Sequence, residues 1–128
     1  MEIKEGYMPF MGYQTYYRIV GKTEEGKSPI ILLHGGPGST HNYFELLDRV
    51  AESGRAVIMY DQLGCGNSFV EGHPELWTPE TWLKELCALI DYLHIDHFHL
   101  LGQSWGGMLA IIYLIEKQAK GVKSAILS

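Results

Sequence analysis

The sequence predicts an α/β protein with a mostly parallel sheet. Short apolar runs at 30–33, 56–60 and 98–103 are bounded by polar or glycine-containing segments, as expected of strands buried on both faces. Segments with helical spacing of apolar residues separate these runs. Buried strands alternating with helices are typical of a parallel sheet that carries helices on both faces.

The start of the chain predicts an antiparallel hairpin. Residues 14–20 (QTYYRIV) are rich in β-forming side chains, and residues 3–8 can pair with them through a turn in 9–13. The hairpin would add antiparallel edge strands to the parallel sheet.

Two helices are expected before the third buried strand. The first follows the spacing of apolar residues in 43–50, and Gly54 is a natural stop for it. Thr78 is a suitable N-cap for the second, and Pro79 suits its first turn. The apolar face of this second helix comprises Trp82, Leu83, Leu86, Leu89, Ile90 and Leu93.

A third helix is expected over about 105–119. It is apolar nearly all round, which predicts a central position in the fold, and Gly121 is placed to end it. Residues 122–128 (VKSAILS) predict another strand.

Composition and charge exclude several classes of protein. A length of 128 residues allows at most one domain, and a net charge of −5 without a basic stripe argues against nucleic-acid binding. Two cysteines are too few for a disulfide framework. The charged N-terminus lacks a signal-peptide core, and the apolar run 108–115 is far short of the roughly 20 residues that span a bilayer. We expect a cytoplasmic protein without membrane insertion, with association with the cell envelope left open.

Residues 102–106 read G-Q-S-W-G, a G-x-S-x-G motif at a predicted strand-to-helix junction. A reversal this sharp strains the backbone of the serine and requires small residues on either side. It lifts the Ser104 hydroxyl clear of the sheet and points the main-chain N–H of Trp105 towards a developing oxyanion. Ser104 is therefore the predicted catalytic nucleophile, with a chance occurrence of the motif as the alternative.

A second oxyanion donor is expected from the glycine-rich segment 34–38 (HGGPG), which lies directly after a predicted strand. The main-chain N–H of Gly36 is the candidate, against the alternative of a plain Gly/Pro turn. His34 is a weaker candidate for general base. It precedes the serine, whereas the usual chain order is Ser, acid, His, so a structural or pocket-lining role is favoured.

Other motifs carry weaker signals. His94, His97 and His99 lie at a helix–strand junction, where side chains point in different directions, so a polar turn is preferred to a metal site. The segment GGPGST lacks the lysine of a phosphate-binding loop, and GCGNSF lacks a third glycine. Cys65 has no strand–helix turn of its own to make it a nucleophile. We therefore expect no metal and no cofactor.

The segments HGGPGSTHNYFELLDRV, VIMYDQLGCGNS and HLLGQSWGGMLAIIYL, in this order, resemble the prolyl aminopeptidases (proline iminopeptidases) of the α/β-hydrolase superfamily, especially the lactobacillus type. The resemblance covers residues 2–128. It implies a serine peptidase that releases N-terminal proline from small peptides through an acyl-enzyme. Ser104 would be the nucleophile, Gly36 and Trp105 the oxyanion donors, and Asp61 a structural residue of its loop. Alternatives are another α/β-hydrolase, such as an esterase or amidase, or a non-catalytic binding module.

The sequence departs from this family on the C-terminal side of the serine. Between Trp105 and Ser128 there is no aspartate and no histidine, and the helical cap that shapes the family's proline pocket is missing. We therefore expect residues 1–128 to be the N-terminal part of a single α/β-hydrolase domain, truncated near the sixth strand of that fold. On its own this segment is expected to be inactive, because an unassisted serine is a poor nucleophile.

Overall fold

The computed structural model describes residues 3–24, 27–34, 54–63, 78–102, 105–118 and 120–127. Four strands precede the first described helix, strands and helices then alternate, and the predicted α/β class is confirmed. The strands form one sheet in the order β1-β2-β4-β3-β5-β6. The elements are β1 (Ile3–Phe10), β2 (Tyr13–Val20), β3 (Ile30–Leu33), β4 (Val57–Tyr60), α1 (Pro79–Tyr92), β5 (Phe98–Gly102), α2 (Trp105–Glu116) and β6 (Val122–Leu127).

The N-terminal hairpin is confirmed and is longer than predicted. β1 and β2 pair antiparallel over their whole length, with Tyr7 opposite Tyr16. Met11 and Gly12 make the turn with left-handed φ values of 50° and 81°. β2 also pairs antiparallel with β4, which places the hairpin at one edge of the sheet.

The remaining strand pairs are parallel, and their order places the carboxyl ends of β4, β3 and β5 side by side. β4 lies on one side of β3 and β5 on the other, so the chain reverses its direction of travel across the sheet at β3. Leu33 is paired with Gly102, so β3 and β5 end at the same level. In open α/β sheets, ligands bind outside the carboxyl ends of the strands at such a reversal.

Both described helices pack on one face of the sheet. α1 begins as predicted, with Thr78 Oγ1 accepting a hydrogen bond from the Thr81 N–H at 3.2 Å. The helix predicted before Gly54 lies outside the described residues, so helices on the second face remain a prediction. The buried side chains between the helices and the sheet include Ile31, Leu33, Ile58, Trp82, Leu86, Leu89, Leu100, Leu109 and Tyr113.

α2 differs from its prediction in two respects. It ends at Glu116 rather than near 119, and Gln118 has a left-handed φ of 52° just beyond its end. The predicted central position is met on one side only, since Met108 is 53% exposed and Ile115 is 69% exposed. Only one side of α2 contacts the sheet and α1, so apolar composition alone overestimates its burial. Within the described ranges, no helix is long and apolar enough to cross a membrane.

Candidate active site

The two glycines of the G-x-S-x-G motif lie where no side chain fits. A β-carbon built on Gly102 would be 2.3 Å from the carbonyl oxygen of Gly106. One built on Gly106 would be 2.1 Å from the carbonyl oxygen of Leu33 and 2.7 Å from that of His34. The first turn of α2 therefore packs directly against the main chain at the end of β3. This close approach is the local geometry that a sharp strand–turn–helix junction requires.

Of the predicted site residues, Trp105 is the one within the described ranges. It is the first residue of α2, where a main-chain N–H has no acceptor inside the helix and is available to an external oxygen. Ser104 and Gly36 lie outside the described residues, so their roles remain predictions; Cys65, which is not expected to be a nucleophile, lies outside them too. The flanking positions are described on both sides: Gly102 ends β5, and His34 comes directly after β3.

Gln62 joins the carboxyl ends of two neighbouring parallel strands, β3 and β4, to the start of α2. Its Oε1 accepts a hydrogen bond from the indole Nε1–H of Trp105 at 3.0 Å. Its Nε2 donates to the carbonyl oxygen of His34 at 3.3 Å, and its main-chain N–H donates to the His34 Nε2 at 3.0 Å. Gln62 is fully buried, so each of these contacts replaces water as a partner. The side chain connects β3, β4 and the start of α2.

The contacts of His34 fit the structural role favoured from the sequence. Its ring is fully buried, and its Nε2 accepts the Gln62 main-chain N–H. A neutral imidazole has one nitrogen with a free lone pair, and this hydrogen bond assigns that nitrogen as Nε2. The lone pair that a general base needs is therefore already engaged, which disfavours the alternative role as base.

Glu85 is a buried acid that sequence reasoning did not identify as part of the site. Its Oε1 accepts the main-chain N–H of Leu63 at 2.9 Å, and its Oε2 accepts a hydrogen bond from the Thr15 hydroxyl. Burial, opposed by the two hydrogen bonds and assisted by the charge of Asp61, raises the pKa of the Glu85 carboxyl to about 7. Glu85 thus links α1 to β2 and to the segment after β4.

Trp82 lies one turn before Glu85 on the same side of α1. Its indole Nε1–H donates to the carbonyl oxygen of Leu63 at 3.0 Å. Its ring also meets the ring of Trp105 edge-to-face, with centroids 5.6 Å apart. α1 therefore binds both the N–H and the carbonyl of Leu63 and contacts the first side chain of α2.

Two further polar residues lie beside Glu85. Asp61 is buried, and its main-chain N–H donates to the carbonyl oxygen of Tyr16 at 3.0 Å. Much of the loop that Asp61 is predicted to hold lies outside the described residues, so that role remains a prediction. The hydroxyl of Tyr60 is buried without a hydrogen-bond partner among the described residues. Its burial, followed by the charge of Glu85, raises the pKa of Tyr60 well above its ordinary value.

The three histidines near β5 do not share one site. His94 has a left-handed φ of 55° after α1, whereas the His99 ring is engaged on both sides. Its Nδ1 lies 2.6 Å from Ser124 Oγ and its Nε2 lies 3.3 Å from Arg55 Nη1. Burial, then the charges of Arg55 and Lys123, lower the pKa of His99. No three acids, histidines or cysteines of the described ranges come together as metal ligands.

The sequence carries a weak signal for Glu85, one of the two site residues that the sequence analysis did not identify. Glu85 comes three positions after Trp82 and precedes Leu86, so helical periodicity places it on the inward face of α1. An acid at such a position requires partners, because a buried carboxyl is rarely left unpaired. Gln62 lies in the segment VIMYDQLGCGNS, which carries part of the family resemblance, but that segment does not indicate its hydrogen-bond partners.

Comparison with known proteins agrees with this architecture. Residues 28–128 match the family described as alpha/beta hydrolase fold. The chain belongs to the α/β-hydrolase fold family. This confirms the fold expected from the order of the motifs.

Individual relatives of this α/β-hydrolase-fold chain carry more specific names. It is 70% identical over 128 residues to a proline iminopeptidase of Clostridioides difficile, covering 100% of this chain and 44% of the relative. It is 64% identical over 130 residues to one of Lactobacillus acidophilus, with 100% and 44% covered. The resemblance to proline iminopeptidases is therefore confirmed, and the chain spans less than half the length of these relatives.

A solved structure supports the same resemblance. The chain superposes on the crystal structure of a proline iminopeptidase of Mycobacterium smegmatis with a TM-score of 0.87 and 36% sequence identity. The match covers 95% of this chain and 42% of that one. The arrangement of strands and helices in this chain is thus shared with a solved structure at well above chance similarity.

Proposed function

We propose that these 128 residues are the N-terminal part of a longer serine peptidase that releases N-terminal proline from peptides. The observation that carries the proposal is the contact of Gly106 with the carbonyl oxygens of Leu33 and His34. That contact brings the first turn of α2, with the Trp105 N–H, beside the start of the segment that contains Gly36. The names and identities of the relatives support the choice of substrate.

The reaction proposed is acyl transfer. The Ser104 hydroxyl attacks the carbonyl carbon of the proline residue, and its proton passes to a histidine located after residue 128. An aspartate, also after residue 128, orients that histidine. The N–H groups of Gly36 and Trp105 bind the oxyanion; one such donor is typically worth about 2.7–4 kcal/mol of transition-state stabilisation. The amine leaves with the proton from the histidine, and water then hydrolyses the acyl-enzyme without a metal or cofactor.

The described residues would hold the oxyanion donors of this site in a fixed position. Gln62 and His34 hold the ends of β3 and β4 against the start of α2, so the oxyanion donors would be in place before substrate binds. Preorganised donors are effective because they need no rearrangement as charge develops. The proline pocket itself is proposed to lie in the part of the protein after residue 128.

A panel of chromogenic substrates tests the proposal on the full-length protein. We expect the highest kcat/KM for proline p-nitroanilide with a free amino group, and a large loss for the N-acetylated compound and for leucine p-nitroanilide. A preference for p-nitrophenyl esters, or for the acetylated compound, would assign the site to another α/β-hydrolase. A protein that turns over none of these substrates would instead be a binding module on a hydrolase fold.

A further inference from the structure

Helix α1 binds both the N–H and the carbonyl of one residue, Leu63, in the segment after β4. Glu85 Oε1 accepts the Leu63 N–H at 2.9 Å, and Trp82 Nε1–H donates to the Leu63 carbonyl at 3.0 Å. Glu85 is itself fixed by the Thr15 hydroxyl of β2. All four residues are buried, so their polar groups have no water to replace a lost partner.

The residue before Leu63 is the one that binds Trp105. The N–H that Glu85 accepts belongs to the peptide bond between Gln62 and Leu63, so this hydrogen bond fixes the orientation of that peptide. From there, the Gln62 side chain accepts the Trp105 indole N–H at 3.0 Å. Trp82 adds a direct contact, ring to ring, on the same indole. Two short routes therefore run from α1 to the residue immediately after Ser104.

We propose that Glu85 is a positioning residue for the reaction: by holding the Leu63 peptide it fixes Gln62 and, through it, the Trp105 indole and the adjoining oxyanion N–H. The inference rests on the proposed function, because it assigns a consequence for catalysis to a network of structural contacts. A displacement of about 1 Å in such a group can reduce a rate about 100-fold. Loss of the hydrogen bond to the Leu63 N–H is therefore expected to lower kcat more than it weakens substrate binding.

Substitutions in the full-length protein test this inference. Glu85→Leu removes both hydrogen bonds, whereas Glu85→Gln keeps an oxygen for the Leu63 N–H and an N–H₂ for the Thr15 hydroxyl. For proline p-nitroanilide we expect Glu85→Leu to lower kcat at least about tenfold, a part of the roughly 100-fold or more that a whole oxyanion donor supplies. KM is expected to stay within about twofold, since the contact acts on the transition state. Glu85→Gln is expected to restore most of the rate.

A control separates positioning from general stability. Leu89→Ala removes a fully buried side chain of the same helix that makes none of these hydrogen bonds, because it carries no polar atom. It is expected to lower the melting temperature of the full-length protein, because it leaves a cavity in the core, while kcat per fluorophosphonate-titrated site stays unchanged. Should Glu85→Leu fail to fold, Thr15→Val is the milder variant. It removes one hydrogen bond at nearly constant volume, and a smaller loss of kcat is expected.

A double-mutant cycle tests whether Glu85 acts through the indole of Trp105. Trp105→Phe keeps the main-chain N–H and removes the indole N–H, so in that background Glu85→Leu should cause little further loss of kcat. The indole N–H resonance of Trp105, assigned by its loss in Trp105→Phe, should shift in Glu85→Leu and stay in place in Glu85→Gln.

The outcomes distinguish this inference from the proposed function. If the wild-type protein turns over proline p-nitroanilide but Glu85→Leu keeps its kcat, the positioning role is overturned and the proposed function stands. Fully additive losses in the double variant would also overturn the route through Trp105. A wild-type protein that neither turns over substrate nor reacts with a fluorophosphonate would overturn the proposed function, and the catalytic consequence assigned to Glu85 with it.

Discussion

The Oε1 atom of Gln62 lies 3.0 Å from the indole Nε1 of Trp105 and accepts its hydrogen bond. This contact ties the segment after β4 to the first residue of α2. It lies at the carboxyl edge of the sheet, where β3 and β5 end at the same level and where the nucleophile and the oxyanion donors are proposed to lie.

Gln62→Met tests the importance of this contact for stability. The change leaves the Trp105 indole N–H and the His34 carbonyl without their partner, so we expect a loss of about 1–3 kcal/mol in the free energy of unfolding. Urea denaturation of the full-length protein measures it. Gln14→Met, at an exposed position of β2, is the matched control and should change little. Equal effects of the two variants would show that the Gln62 contacts add no net stability.

Gly106→Ala tests the close packing of α2 against β3. The added methyl group would lie 2.1 Å from the Leu33 carbonyl oxygen, which is main chain and has little room to move. We expect a loss of at least about 3 kcal/mol, at the upper end of overpacking effects, or failure to fold. The melting temperature of the full-length protein is the measurement.

Gly12→Ala is the control for that variant. Gly12 has a left-handed φ of 81° but nothing within 4 Å of the added carbon, so only backbone strain of roughly 1–2 kcal/mol is expected. If Gly106→Ala were the milder of the two changes, the junction would be looser than described.

The buried carboxyl of Glu85 predicts a pH-dependent stability. Its pKa is raised from 4.5 to about 7 in the folded protein, so the native state holds the proton more tightly than the unfolded chain. Below pH 4.5 both states are protonated and the full contribution is present; it is lost as the pH rises to 7. The size of the loss is on the order of 3 kcal/mol.

Urea denaturation of the wild type and of Glu85→Gln across this pH range checks the assignment. The glutamine cannot ionise, so the variant should lack the decline and overtake the wild type in stability towards neutral pH. Glu80→Gln, an exposed change in the first turn of α1, should follow the wild-type curve. A Glu85→Gln curve parallel to the wild type would contradict the raised pKa.

The 128 residues alone are predicted to be inactive. They contain the proposed nucleophile but no aspartate or histidine after Trp105, and a serine without its base retains only the rate that binding and oxyanion stabilisation supply. We expect hydrolysis of proline p-nitroanilide at a negligible rate beside that of the full-length protein. Comparable turnover by the two would show that the activating groups lie within this segment.

Most of the fold could be predicted because its signals are local. The run at 30–33 is apolar throughout and is bounded by polar, proline or glycine residues on both sides. Thr78 followed by Pro79 begins a helix by capping interactions that need no tertiary partner. The exposed side of α2 could not be predicted in this way. Whether Ile115 is covered depends on what packs against it, and hydrophobicity alone does not say so.

The same distinction applies to the candidate site: residues with a local signal could be predicted, and contacts between distant parts of the chain could not. The glycines at 102 and 106 could be placed beside a sharp turn because the motif requires small residues there, and the structure shows the main-chain contacts that a side chain would break. The partner of Glu85 could not be predicted, since Thr15 is 70 residues earlier in the chain. The three contacts of Gln62 likewise involve His34, after β3, and Trp105, at the start of α2, which only the folded sheet brings together.

Identification of the reactive serine tests the central proposal most directly. The full-length protein is treated with a fluorophosphonate, and the modified residue is located by peptide mass spectrometry. We predict one adduct, on Ser104, and its loss in Ser104→Ala together with turnover of proline p-nitroanilide. An adduct on another residue, or undiminished turnover by Ser104→Ala, would contradict the assignment of this residue as the nucleophile.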